Sequence, residues 1–388
     1  MFCFQAMEKI KLLRITTVPI SLTTLLKGQP EFFIQHGFDV LTASAPGAEV
    51  TQLNSVGIKH EAIPLTRKIT PIADLLALIK LIRLIKNFRP HIVHTHTPKA
   101  GLIGMLAAKV CGVKTRLHTV AGLPLMEAKG LKKNLLKITE RVTYACATKV
   151  YPNSIGLMTF IQSAFNIKQS KFKVIGKGSS NGIDSSYFSC AAVAQKEIDA
   201  LRQTYAIGND EFIFCFVGRL VKDKGLRELV DAFNRLSDGN GRLLLVGHRE
   251  QELDPLPPET IQQMESNPKI LEVGFQRDVR PWLAISHALV FPSYREGFPN
   301  VVMQAACMEL PCIVTNINGC NEIIQHGESG LIIPVKDTYA LTQAMKSLMS
   351  LSDQGKRFGQ HARQYVSQNF SQPAVWAELL KEYLSFAQ

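Results

Sequence analysis

The chain has 388 residues and a formal charge of +12 at pH 7, with 46% apolar and 20% charged residues. That length suits two domains at roughly 100–200 residues each, and the apolar fraction excludes a disordered or collagen-like chain. The eight cysteines show no CxxC pair and no metal-ligand spacing, which argues against a disulfide framework and for reduced thiols in a cytoplasmic protein.

The charge is unevenly spread. Residues 1–188 carry 25 Lys and Arg against 9 Asp and Glu, a balance of +16, whereas residues 189–388 carry 19 against 23, a balance of −4. The first half is therefore expected to face something anionic: nucleic acid, a phospholipid surface or a phosphorylated substrate.

In chain order, the start "MFCFQAMEKIKLLRI" lacks the long apolar region and cleavage site of a signal peptide, and Met7 is a candidate start. "KLLRITTV" reads as a first strand, and "TTVPISLTTLLKG" after it has no glycine before Gly28. "FDVLTAS" reads as the next strand. A helix is expected over 73–88, inside the apolar run "PIADLLALIKLIRLIKNF"; Lys80, Arg83 and Lys86 interrupt that run and argue against a membrane span.

"HIVHTHT" is the next strand, leading through Pro98, Lys99, Ala100 and Gly101 into a helix over 100–111. His94 and His96 share one face, which is half a metal site at best, since no further ligand lies near and no Asp-x-Asp pair occurs. His96 and Lys99 at this strand end could instead hold an acceptor phosphate over the helix start, the plain alternative being a helix cap.

After the strand "TRLHTV", the run "AKGLKKNLLKITERVTYA" predicts a helix over 130–147. It places Lys129, Lys133, Lys137 and Arg141 on one face and Leu131, Leu135, Ile138 and Val142 on the opposite one. Such basic amphipathic helices lie on anionic membranes, where each Lys or Arg contributes ~1 kcal/mol. A packed helix with a solvated basic face is the alternative, and the charge balance tips the reading toward peripheral membrane contact. Nucleic acid fits less well, because no recognised motif or aromatic interleaving accompanies the charge.

A Gly/Ser-rich stretch, "GKGSSNGIDSSYF" (176–188), marks a linker. The strand–helix alternation then restarts with "EFIFCFVGRL", "GRLLLVG", "KILEVGF", "HALVFPS" and "PCIVTNI". The expected fold class is α/β, with two Rossmann-like doubly wound parallel-sheet domains over 1–188 and 189–366. A final helix in 367–388 is expected to cross back to the first domain. Ligands of such sheets bind beyond the carboxyl ends of the strands, here in a cleft that the two domains would form.

Two loops of the second half carry the sharpest local signals. In "FVGRLVKDKGLRELVDAF", Arg219 and Lys224 follow a strand end and precede a helix, so two cations reach the rim where phosphates would sit. A solvated loop with ordinary surface charge is the alternative. In "FPSYREGFPNVVMQAACMELP", Pro299 is placed at the first helical position, with the amides of Asn300 and Val301 offering an anion seat. Glu296 suits hydroxyl groups such as those of a sugar, and Gln304 faces back toward the same cleft. A capped helix with a surface glutamate is the alternative here.

The series "VGRLVKDKG", "LLLVG", "VGF", "PSYREGFPNVVMQA", "LPCIVTN" and "NEIIQHGESGLIIPVKD" resembles the carboxyl-terminal domain of family 4 retaining glycosyltransferases, of GT-B fold. "RPHIVHTHTPKAG" and "SNGID" are similar to that family's amino-terminal markers, so the resemblance covers nearly the whole chain. It implies that Arg219 and Lys224, beside Gly218, grip the diphosphate of a nucleotide-sugar. It also puts Glu296 on the donor sugar, with Gly297, Phe298, Pro299, Asn300 and Val301 around it, and has Gly274, Phe275 and Arg277 border the base.

The sequence departs from the family's pattern in two places. Where the family has a ribose-binding glutamate this chain has Gln304, a swap expected to cost ~1 kcal/mol, the net value of one hydrogen bond. Where the family often has His-Gly, the chain has Ala121-Gly122. His118 lies on the opposite strand face from residue 121 and is expected to be structural. On the acceptor side, Ser21 or Thr23, His96, Lys99 and Gly122 are expected.

The implied activity is transfer, with retention, of a hexose or N-acetylhexosamine. The donor would be a nucleotide-sugar, most simply UDP-linked, and the acceptor a polyprenyl-diphosphate-linked sugar of bacterial surface polysaccharide assembly. The resemblance implies no metal and no other cofactor, and a location on the cytoplasmic face of the membrane. The fold also hosts sugar-nucleotide epimerases, and a non-catalytic sugar-nucleotide binder is a further alternative.

Overall fold

The protein is described by a computed structural model covering residues 9–68, 70–126, 128, 130–236, 240–250, 254–350 and 352–386. It has two compact units, one comprising Met1–Gly182 with Gln372–Gln388 and the other Ile183–Ser371. The chain thus changes unit at 182/183 and 371/372, rather than at the linker's end at 188 and at 366.

The first unit is built on six parallel strands: β1 (Lys11–Ile15), β2 (Asp39–Ser44), β3 (Lys59–Ala62), β4 (Ile92–Thr95), β5 (Thr115–Val120) and β6 (Lys149–Pro152). Their order is β3-β2-β1-β4-β5-β6. The period of two divides the first strand between two cores. Leu13 and Ile15 join one, while Leu12 joins Phe33, Leu117, Tyr151 and Tyr383 on the other side. Helices Pro71–Phe88, Pro98–Val110 and Gly130–Cys146 lie side by side over the first core.

The opposite core is closed by the last helix, Gln372–Ser385, which supplies Leu379 and Tyr383. The Tyr383 hydroxyl accepts from Arg14 Nη2 at 2.9 Å, a side chain wholly buried in β1. The helix expected to return to the first domain therefore belongs to that unit and fills its core.

The second unit repeats the plan with β7 (Phe212–Val217), β8 (Gly241–Val246), β9 (Ile270–Gly274), β10 (Ala288–Phe291), β11 (Cys312–Thr315) and β12 (Gly330–Ile333), in the order β12-β11-β10-β7-β8-β9. Counted within each unit, both sheets have the strand order 3-2-1-4-5-6 of the doubly wound fold. The winding reverses between the first and fourth strands and opens a crevice above their carboxyl ends. In the second unit that reversal lies between β7 and β10, which are hydrogen-bonded neighbours.

Three strands, β3, β6 and β12, escape the sequence reading, and all three are four-residue edge strands. An edge strand is paired on one side only, and β3 with the pattern "KHEA" is largely exposed, so no apolar run announces it. No helix among the described residues is long and apolar enough to cross a membrane.

Candidate functional site

The loops that leave β7 and β10 meet above the winding reversal of the second unit. From β7 the chain runs through Gly218 and Arg219 into a short 3-10 turn, Lys222–Lys224, then through Gly225 into the helix Leu226–Asn234. Gly225 has φ +71°, and a Cβ there would lie 2.1 Å from the Pro292 carbonyl oxygen. Glycine is thus required for the two loops to approach this closely. The Tyr294 amide donates to the Asp223 carbonyl at 2.8 Å, and Arg295 pairs with the Asp223 carboxylate at 2.8 Å. These bonds join the loops into one frame.

Within that frame Lys224 Nζ forms an ion pair with Glu296 Oε1. Both side chains are only 16% exposed, so the pair is largely shielded from solvent screening. Glu296 is held at both its carboxylate and its backbone. Ser293 Oγ, fully buried, lies 3.0 Å from Glu296 Oε1 as a donor, and Asn318 Nδ2 donates to the Glu296 carbonyl. Thr315 Oγ1, at the end of β11, donates to the Ser293 carbonyl. Lys224 Nζ also sits 5.6 Å from the centroid of the Phe291 ring.

Arg219 is more exposed than Lys224 and pairs with Glu250. Its loop is fixed by backbone: Gly218 N donates to the Val246 carbonyl and Leu220 N to the His248 carbonyl, each at 2.9 Å. The neighbouring strands also end in glycine. A Cβ on Gly247 would lie 1.8 Å from the Gly218 carbonyl oxygen, so no side chain fits there. Gly274 closes β9 with φ +70°, and its carbonyl accepts from Gly247 N at 2.9 Å. The result is a floor of bare backbone above three strand ends, with Phe275 and Arg277 exposed at its edge.

The helix start differs from expectation by one position. Pro299 is the N-cap, in extended conformation, and the helix runs Asn300–Cys307. The proline ring fixes φ before the first turn instead of within it. The amides of Asn300 and Val301 belong to a first turn, which has no intrahelical acceptors to offer them. Gln304 stands one turn on, partly exposed, on the same face as Asn300. Phe298 turns the other way: it is 7% exposed and packs against the Phe370 ring at 5.1 Å between centroids. Its side chain anchors the loop from below, leaving only backbone at the surface beside Gly297.

The first-unit residues are not gathered in the same way. Ser21 opens a π-helical turn, Ser21–Leu25, and Gly122 lies in the coil after β5. Lys99 does not project free over its helix start. It is bonded to both Asp74 carboxylate oxygens, at 2.8 and 3.0 Å, and to Thr66, Thr70 and the Lys68 carbonyl. The cation is thus paired with a carboxylate on the neighbouring helix, twenty-five residues earlier in sequence.

His96 is buried rather than presented to a ligand at the surface. Its ring lies tilted against that of His94 with centroids 4.1 Å apart, and neither ring nitrogen has a hydrogen-bond partner among the described residues. It lines a cavity of about 10 Å³, with Thr119, Asn153 and Ser180, which has room for about one water. Both nitrogens of His94 are taken by Tyr383 and Thr119, so His94 offers none to a metal beside His96. Burial and the nearby Arg14 charge push both imidazoles well below their ordinary pKa. His118 accepts or donates to Thr95 Oγ1 at 2.8 Å and packs on Gly101, where a Cβ would strike its ring at 2.4 Å. It is a core histidine.

Sequence reasoning missed Ser293, Asn318 and Glu250. Ser293 stands inside "PSYREG", where nothing distinguishes its hydroxyl from a turn serine. Asn318 and Glu250 reach the site from other loops, so no local signal marks them.

Two doubly wound units in one chain, matched along nearly their whole length by solved glycosyltransferases, have the GT-B fold. The second unit matches the model of glycosyl transferases group 1 over residues 197–365, and residues 23–154 match that of glycosyl transferase 4-like domains. Over 98% of its length the chain is 34% identical to 98% of the capsular polysaccharide biosynthesis glycosyltransferase CapM of Staphylococcus aureus. It is 27% identical, over 87% of each chain, to the UDP-Gal:alpha-D-GlcNAc-diphosphoundecaprenol alpha-1,3-galactosyltransferase of Escherichia coli. Among solved structures, HepE of Anabaena in complex with UDP superposes with a TM-score of 0.80, at 19% identity, over 97% of this chain and 100% of that one. The chain belongs to the group 1 glycosyltransferase family, with a 4-like amino-terminal domain.

Proposed function

We propose that this glycosyltransferase moves a hexose or N-acetylhexosamine from a UDP-linked donor to a polyprenyl-diphosphate-linked sugar, with retention of configuration, in surface polysaccharide assembly on the cytoplasmic face of the membrane. The names of the Staphylococcus and Escherichia relatives support the polysaccharide role and the lipid-diphosphate acceptor, and the HepE complex supports UDP. The single observation that carries the reading is the Lys224–Glu296 pair at the β7/β10 reversal.

The chemistry follows from where charge develops. As the bond from the sugar to the diphosphate breaks, negative charge grows on the leaving oxygen. Lys224, Arg219 and the first-turn amides of Asn300 and Val301 are the preorganised positive groups that would receive it, so a metal would not be needed. Glu296, relieved of Lys224 once the diphosphate takes the cation, would accept hydrogen bonds from the sugar hydroxyls. Ser293 and Asn318 keep its carboxylate and carbonyl in place.

Incubation with labelled UDP-sugars, with and without a membrane extract, tests the reading. The expected result is labelled product formed only when the extract is present. Isomerised nucleotide-sugar without extract would indicate an epimerase, and binding without turnover a sugar-nucleotide binder; either result overturns transfer. Lys224→Ala and Arg219→Ala should each slow transfer by more than about tenfold at unchanged melting temperature, as loss of a donor at developing charge does. Wild-type turnover in both would remove the diphosphate role.

A further inference from the structure

The first unit has a cavity at the end of its sheet away from the ligand edge. Ile10, Ile92 and Thr115 stand at or just before the amino ends of β1, β4 and β5, and all three line a space of about 790 Å³. That volume lies in the range of small-molecule pockets. Ligands of doubly wound sheets bind beyond the carboxyl ends of the strands, so at least roughly 10 Å of strand separates this space from that edge. The transfer chemistry makes no use of it.

Its walls combine cations with apolar surface. Lys86, Arg89 and Lys114 line it and are exposed, and none of the three is paired with a carboxylate among the described residues. No acidic side chain among the described residues lines the cavity. His91 lines it as well, and its Nδ1 accepts from the Lys11 amide at 2.9 Å. The neutral ring therefore carries its hydrogen on Nε2 and has one donor to offer. Between these polar groups lie Ile85, Val113 and the partly exposed ring of Phe386.

Helices Pro71–Phe88 and Pro98–Val110 both end at this cavity, and cations at helix ends commonly serve only to offset the macrodipole. The magnitudes here exceed that role. Two carboxyl-terminal ends contribute roughly −0.5 charge each, so three full cations leave a surplus of about +2. Arg89 gives a second, independent sign of use. It directly follows the first of these helices with φ +52°, a left-handed conformation that glycine adopts without strain. The chain keeps a guanidinium where glycine would fold more easily.

A phosphate monoester carries about −1.5 to −2 at pH 7 and so matches the surplus, with the Arg89 fork suited to its oxygens. A singly charged carboxylate would leave half of the surplus uncompensated. The Phe386 ring and the isoleucine walls suit a flat apolar body beside that phosphate. We propose that this cavity binds an aromatic phosphomonoester of nucleotide size, such as a nucleoside monophosphate. It is a site of the first unit in its own right, independent of the β7/β10 loops.

Calorimetry of the full chain with AMP, adenosine and inorganic phosphate provides the test. AMP should bind at least about tenfold more tightly than either fragment, because only AMP engages the cations and the apolar walls together. Arg89→Gln/Lys114→Gln should weaken AMP binding at least about tenfold at unchanged melting temperature, as removal of two charge-assisted donors does. Lys86→Gln/Lys114→Gln, which leaves the left-handed position untouched, should do the same. Lys224→Ala should leave AMP affinity unchanged. Cys111, partly exposed in the cavity wall, should be alkylated more slowly by iodoacetamide when AMP is present, while the exposed Cys190 reacts as before. AMP that does not bind, or binds no better than phosphate, overturns the proposal. So does unchanged affinity in both double variants, loss of affinity in Lys224→Ala, or an unprotected Cys111. None of these outcomes depends on whether labelled UDP-sugars are transferred.

Discussion

Lys224 and Glu296 neutralise one another within the second unit, so a diphosphate taken up as proposed would compete with a carboxylate already in place. That arrangement leaves neither largely buried charge alone, which would be costly. Gln304 is the residue whose chemistry stands furthest from the family resemblance. An amide accepts with one end and donates with the other, whereas a carboxylate accepts from both ribose hydroxyls. Gln304→Glu should therefore tighten UDP binding about fivefold, the worth of roughly 1 kcal/mol. Calorimetry showing no gain, or a loss, would separate Gln304 from the ribose. Arg219, Lys224 and Glu296 were legible because they sit in compact motifs on loops at strand ends. Ser293, Asn318 and Glu250 were not, because their contacts arise only when loops distant in sequence are brought together.

At the scale of elements, the central strands and long helices were readable because both faces of a parallel sheet must be apolar and its crossover helices must be long. The edge strands β3, β6 and β12 lacked that signal. The helix Gly130–Cys146 shows a subtler limit. Its amphipathic pattern was evident in sequence, but periodicity does not say which side faces in. The helix turns Glu140 inward, only 4% exposed, and its leucine stripe outward, with Leu131 89% exposed; Lys129 lies outside the described residues. This reversal has a measurable consequence through Glu140. With the folded carboxyl raised to about 7, the native helix keeps a proton that the unfolded chain sheds above about 4.5. The native state binds more protons between those values, so this group's contribution to stability falls as pH rises through that window. Glu140→Gln should consequently match the wild type near pH 4.5 and exceed it at pH 8, by on the order of 1–3 kcal/mol in urea unfolding. A gap that does not widen with pH would mean that Glu140 is ionised in the folded unit.

Over the whole molecule, charge and chemistry are divided between the units. The amino-terminal half carries the +16 balance and the outward leucine stripe, and the second unit the cation–carboxylate pair. The two-domain plan and both sheets could be read from the restart of the strand–helix pattern after residue 188. The return of Gln372–Ser385 to complete the first core is explained physically by Leu379 and Tyr383. Whether the β7/β10 reversal is a diphosphate site is tested most directly by a crystal structure of the protein with UDP. Lys224 Nζ is predicted to leave Glu296 and lie within about 3 Å of a diphosphate oxygen, with Arg219 and the Asn300 amide on the same group. A nucleotide bound elsewhere, with Lys224 still clasped by Glu296, would contradict it.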